Sequence, residues 1–124
     1  MYKERYHNRL KKLIEEYITI GYSVVKKFPL DEKYGMTSQV KRAMISIMLN
    51  YVEGFARSKK KVMLNFYEIS YGSLQESITI FYFATKFLFI TTTEYMQLYK
   101  IKEEIAKMLW SSIEGLRKDC EVDM

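Results

Sequence analysis

Two sets of residues in this sequence could do chemistry. The first is a short basic run, Arg57, Lys59, Lys60 and Lys61, interrupted only by Ser58. Four cations this close can hold phosphates by releasing counterions, or can simply keep an apolar protein in solution. The second set is polar and small residues inside otherwise apolar segments: Arg42, Asn50, Glu53 and Gly54 in one, Gly72, Ser73 and Glu76 in the next. If the two segments fold back on each other about Lys59, Arg42 lies opposite Glu76, Ser46 opposite Gly72 and Asn50 opposite Glu68. A buried Arg42–Glu76 ion pair is tolerable only if both groups find further partners, and Asn50, Glu53 and Ser73 would supply them, fixing register. The alternative is that these side chains are solvated. Glycine inside a helix costs about 1 kcal/mol relative to alanine. Close helix approach is therefore expected at Gly54 and Gly72, with a backbone recess for a ligand as the other possibility.

Nucleophilic catalysis lacks its components. His7 is the one histidine and lies near the N-terminus, and there is no Gly-x-Ser-x-Gly turn or Cys/His pairing. A metal-dependent nuclease would need clustered carboxylates, and the candidates Glu53, Glu68 and Glu76 are spread over two segments. The sequence thus predicts no enzyme, no cofactor and no metal site. Cys120 sits among Asp119, Glu121 and Asp123, so its thiol is expected to be neither activated nor paired.

The charge is unevenly placed. Residues 1–61 hold 14 Lys/Arg against 6 Asp/Glu, and residues 62–124 hold 6 against 9, so the basic excess lies in the first half. That asymmetry can mark a surface that faces nucleic acid. Arg57, Lys59, Lys60 and Lys61 are the expected phosphate contacts, with Lys41, Lys11 and Lys12 as weaker additions. Tyr2 and Tyr6, interleaved with Lys3, Arg5 and Arg9, could stack on unpaired bases.

The elements that must position these groups are helical. Leu10, Leu13, Ile14, Tyr17, Gly21, Val24, Val25 and Phe28 recur at three- and four-residue spacing, and Pro29 ends the pattern. Thr37 is the expected N-cap of a second helix. That helix is apolar on several faces and must be covered on several, either by self-association, the expectation here, or by a central place within the monomer. The run ITIFYFATKFLFI has strand-like residue preferences, but the helical rhythm passes through it unbroken. Thr91 to Glu94 supply caps and a first-turn acid for a fourth helix, and Lys118 to Met124 are expected to fray. We therefore predict an all-α, antiparallel up-down-up-down four-helix bundle in one domain, residues 1–124, with helices at about 3–28, 38–57, 60–89 and 93–117. The longest apolar stretch, Ile78 to Ile90, is short of the roughly 20 residues that span a bilayer. The charged N-terminal sequence lacks an apolar run, so a cytoplasmic location is expected.

From Phe28 to Glu76 the chain resembles the four-helix-bundle proteins encoded by intervening sequences in bacterial 23S ribosomal RNA genes, often labelled S23 ribosomal proteins. The matching residues are Phe28-Pro29, Tyr34 to Gln39, Arg42-Ala43, Ser46-Ile47, Asn50, Glu53-Gly54-Phe55, Arg57 and Gly72 to Glu76. The family usually has proline where this chain has Met48 and alanine where it has Val52, which implies a straighter, tighter second helix. The accessory variability proteins of diversity-generating retroelements look similar in fold, and members form ring-like homopentamers that work with a reverse transcriptase and its RNA. The resemblance implies a homopentamer and a nucleic-acid context, without a settled biochemical role. Two functional expectations follow. One is a non-enzymatic ring that binds RNA or DNA through its basic surface; the other is an adaptor that docks a partner enzyme such as a reverse transcriptase.

Overall fold

The structure, a computed structural model, describes residues 2–122. It contains α1 (Tyr2–Val25), a single 3-10 turn (Leu30–Glu32), α2 (Met36–Phe55), α3 (Lys60–Lys86) and α4 (Thr92–Val122). Each helix packs on its neighbours in the cyclic order α1, α2, α3, α4 and back to α1. The result is the all-α four-helix bundle that the short connections dictate. No strand occurs among the described residues, and Ile78 to Lys86 is helical.

The core is a ladder of fully buried side chains at three- and four-residue spacing. Leu10, Ile14 and Tyr17 come from α1, Val40, Met44 and Ile47 from α2, Leu74 and Phe81 from α3, and Leu98, Ile105, Leu109 and Ile113 from α4. A buried polar bond crosses it between α1 and α3. The Ser77 hydroxyl donates to the Leu74 carbonyl at 2.8 Å, so the Tyr17 hydroxyl, 2.7 Å away, donates to Ser77. Burial raises the Tyr17 phenol well above its ordinary range and keeps it a neutral donor.

The helix ends depart from expectation, each for a local reason. Residue 28 cannot be helical before Pro29, and α1 already stops at Val25, closed by single-turn bonds from Lys27 to Val24 and from Phe28 to Val25. Phe28 then swings into the core against Phe81 and Phe89. The α2 cap is not Thr37, because the helix begins at Met36 and the Glu32 carboxylate accepts the Met36 N–H at 3.1 Å. At α4 the expected box forms: the Glu94 N–H donates to the Thr91 hydroxyl, and the Thr91 N–H donates back to the Glu94 carboxylate. Lys118 to Val122 are helical, beyond the end that the apolar rhythm sets. They continue α4, and Asp119 is tied to Lys60 and Arg117 to Glu68. Asp123 and Met124 lie outside the described residues.

Helix α3 ends at Lys86, three residues earlier than the apolar rhythm suggests. The Leu88 N–H donates to Thr85 and the Phe89 N–H to Ala84, a Schellman closure, and Leu88 takes the left-handed position with φ of 63°. Leucine pays a steric penalty there that glycine does not. Its side chain is 88% exposed and so gains little in return. Leu88→Gly is expected to stabilise the protein by about 0.5–1 kcal/mol, read as a higher urea midpoint at unchanged m-value.

Candidate nucleic-acid interface

The contact between α2 and α3 rests on small residues. The hydroxyls of Ser46 and Ser73 meet at 2.8 Å, the Asn50 amide donates to both the hydroxyl and the carbonyl of Ser46 at 2.9 Å, and the Ser70 hydroxyl donates across to the Ile47 carbonyl at 2.7 Å. Asn50 and Ser73 thus converge on Ser46 and not on Arg42 or Glu76 as expected, and Ser70 makes a separate bond that the sequence reading missed. A buried serine among apolar residues at helical spacing was the available signal.

Four of the predicted pairings are corrected. Arg42 and Glu76 are both exposed and form no ion pair. The Arg42 guanidinium donates to Ser38 at 3.3 Å, and Glu76 accepts from Gln39 at 3.3 Å. Both line one open cleft of about 420 Å³ with Ser46 and Ser73. The expected register brings both to one cleft, but the charges stay at its mouth in water and do not pair. Asn50 does not meet Glu68, which pairs instead with Arg117 at 2.7 Å. Ser46 meets Ser73, not Gly72. Glu53 pairs with Arg57 one turn on, at 2.8 Å. The three carboxylates considered for metal thus have separate partners, and no metal-holding cluster exists among the described residues.

The two glycines behave oppositely. A Cβ on Gly54 would stand 2.7 Å from the Tyr67 ring, which is buried and stacked on Tyr51, whereas a Cβ on Gly72 would meet nothing within 4 Å. Close approach is right for Gly54 and wrong for Gly72. Gly54→Ala is expected to cost about 1–3 kcal/mol and Gly72→Ala to add about 0.5–1 kcal/mol, a sign difference that chemical denaturation of the two variants would check.

The basic run occupies the α2–α3 turn at one end of the bundle, beside the first turn of α1 and the last turns of α4. Arg57, Lys59, Lys60 and Lys61 are all exposed. Arg57 is engaged by Glu53, and Lys60 by Asp119 at 3.2 Å. Lys59 and Lys61 have no carboxylate partner among the described residues. Lysine occupies the N-cap and the first positions of α3, and no acidic residue lies in that first turn. These cations sit on the positive end of the helix dipole, an arrangement that costs about 0.3–1 kcal/mol per charge and that a bound anion would relieve. Lys11 and Lys12 lie farther along α1, and Lys41 lies near the far end of α2, its ammonium over the Tyr22 ring. At 1.5 Å per residue Lys41 is about 24 Å from Arg57 along the helix. Lys41 is thus not part of the tip.

Aromatic rings line the bundle next to this tip. His7 stacks on Phe55 with centroids 3.5 Å apart, its Nδ1 is 2.9 Å from the Tyr51 hydroxyl, and Tyr51 stacks on Tyr67. Burial, and then the nearby Lys11, lower the His7 pKa; burial first, then neighbouring Tyr6, pushes Tyr67 up to about 12. A histidine that binds its proton less readily when folded makes the unfolded chain the better proton acceptor, so stability rises with pH in this window. The thermal midpoint should fall as pH drops below the ordinary imidazole value of 6.5. His7→Phe, which keeps the stacking, should flatten that response in melts at about pH 7.5 and about pH 5.5.

The sequence profile of the 23S rRNA-intervening sequence protein family matches residues 7–111. The chain belongs to this family. Among solved structures, one similar fold is a crystal structure from Bacteroides thetaiotaomicron described as a protein of unknown function from the S23 ribosomal protein family. It is 22% identical, with a TM-score of 0.75, over 84% of this chain and 97% of that one. No functionally curated protein matches. The family match reaches from His7 to Ser111 and so includes the tip and both helices that build it, leaving out only the first turn of α1 and the end of α4.

Proposed function

We propose that this member of the 23S rRNA-intervening sequence protein family is a non-enzymatic, self-associating bundle, a homopentameric ring, that binds RNA through the α2–α3 tip. The observation that carries the nucleic-acid reading is the tip itself. Lysines 59, 60 and 61 crowd the positive end of α3 with no acidic residue in its first turn, a local electrostatic cost that a polyanion turns into affinity. Support for self-association comes from apolar residues left uncovered: Ile45, Leu49 and Val52 on α2 with Val62 and Ile69 on α3. The number five rests on the resemblance to ring-forming relatives.

The test is paired. Light scattering on the purified protein should give the mass of five chains, and a labelled structured RNA should bind at about 50 mM salt and weaken steeply as salt rises. A monomer mass sinks the ring, and an RNA that stays free at low salt sinks the binding. A second reading has its own observation. Phe83, Phe87, Leu88 and Met96 form another exposed apolar group at the opposite end, the kind of surface by which an adaptor would dock a partner enzyme.

A further inference from the structure

Beside the basic tip lies an open slot of about 660 Å³, walled by Tyr2 and Tyr6 from α1, by Tyr51 and Phe55 from α2, and by Gly115 from α4. That volume is within the range of about 300–1,000 Å³ typical of ligand pockets. Its walls are held in place. The Tyr6 hydroxyl donates to the Met108 carbonyl of α4, and Phe55 is backed by the flat His7 ring. Its rim is cationic, with Lys3, Arg57 and Lys60 on it.

Gly115 supplies an independent observation. It lies inside α4, where glycine is among the least favourable residues. No close approach accounts for it, since a Cβ there would meet nothing within 4 Å. What its missing side chain does is leave the slot open on the α4 side.

We propose that this slot receives one unpaired nucleobase of a single-stranded RNA whose adjoining phosphates lie against the tip. The inference rests on the nucleic-acid reading above and narrows it. An aromatic wall offers any base a stacking face, while a duplex keeps its bases stacked inside and presents only phosphate. Rim charge selects the occupant further. Asp119 and Glu53 already engage Lys60 and Arg57, so Lys3 together with Lys59 and Lys61 is left to meet phosphate. A neutral aromatic ligand would fill the slot and leave these cations unanswered.

The experiment compares one RNA sequence as a single strand and as a blunt duplex, by fluorescence anisotropy at about 50 mM salt, with free AMP as competitor. The wild type should prefer the single strand about tenfold. Gly115→Leu fills the slot from a position with no steric conflict and replaces a poor helix former with a good one, so it should fold at least as well as wild type. It should lower single-strand affinity at least fivefold and leave duplex affinity unchanged, and Phe55→Ala should do the same. If both RNAs bind equally, or if Gly115→Leu leaves the preference intact, the slot assignment is wrong while the tip reading stands. If neither RNA binds, both fall. AMP that binds when neither RNA does would overturn the strand as occupant and leave a mononucleotide in its place.

Discussion

Changing Lys59 and Lys61 to glutamate should lower RNA affinity about 100-fold at low salt without unfolding the protein. Both lysines are exposed and neither has a carboxylate partner among the described residues, so the substitutions break no ion pair. They also place negative charge at the start of α3, where the dipole favours it by about 0.3–1 kcal/mol per group. Thermal stability should therefore hold or rise while binding collapses. That opposition is the useful part, because a loss of affinity through misfolding would carry stability down with it. The salt dependence gives a second readout. Two phosphate contacts fewer should flatten the slope of log affinity against log salt by about 1.4 for a single strand. Lys41→Glu, set against Lys59→Glu alone, is the control: the same charge change at the far end of α2 should leave both affinity and slope nearly unaltered. Equal effects from Lys41 and from the tip would mean that binding follows net charge and not a site.

Much of the fold was legible because periodicity is a property of the chain alone. Positions 10, 14 and 17 or 40, 44 and 47 identify a buried helix face without knowledge of what covers it, and the Thr91 to Glu94 box is written in four consecutive residues. What failed to show in the sequence depends on through-space neighbours. Glu32 caps α2 from an upstream turn, four residues before the N–H it receives. Leu88 ends α3 in a conformation usually left to glycine, so its residue type pointed the wrong way. Gly54 and Gly72 look alike in a sequence, yet one faces the Tyr67 ring and the other faces open space.

The candidate site divides along the same line. Arg57 to Lys61 are contiguous, so their gathering at a tip could be read directly. Arg42 and Glu76 line one cleft as the antiparallel register implies, but register does not say whether charges point inward. Hydration keeps them outward here, in the cleft that Ser46 and Ser73 also line. The aromatic slot was legible only in part. Tyr2 and Tyr6 were visible as a basic-aromatic pattern, whereas Gly115 and Phe55 reach the same cavity from two other helices, and nothing in their local sequence marks them.

If the chain forms the proposed ring, Leu49→Glu should convert it into single 14.9 kDa chains. Leu49 is 63% exposed and flanked at helical spacing by Ile45 and Val52, while Val62 and Ile69 of the neighbouring α3 are exposed too. Burying one leucine side chain is worth about 1.5–3 kcal/mol, and a carboxylate in its place would have to be desolvated at every contact of a closed ring. Within the monomer the substitution touches no core residue, so helicity and melting should be retained. A ring further requires two different surfaces, since head-to-tail contacts close cyclically and a self-complementary patch gives only a dimer. The exposed aromatic group at the other end, Phe83 and Phe87 with centroids 6.0 Å apart, is the available second surface. Phe83→Glu should therefore dissociate the assembly as completely as Leu49→Glu, and mixing the two variants should not restore closed rings, because each ring would still contain defective contacts. If Leu49→Glu yields monomers and Phe83→Glu leaves the oligomer mass intact, the contact is self-complementary, the ring is excluded, and the aromatic end is left for a partner protein.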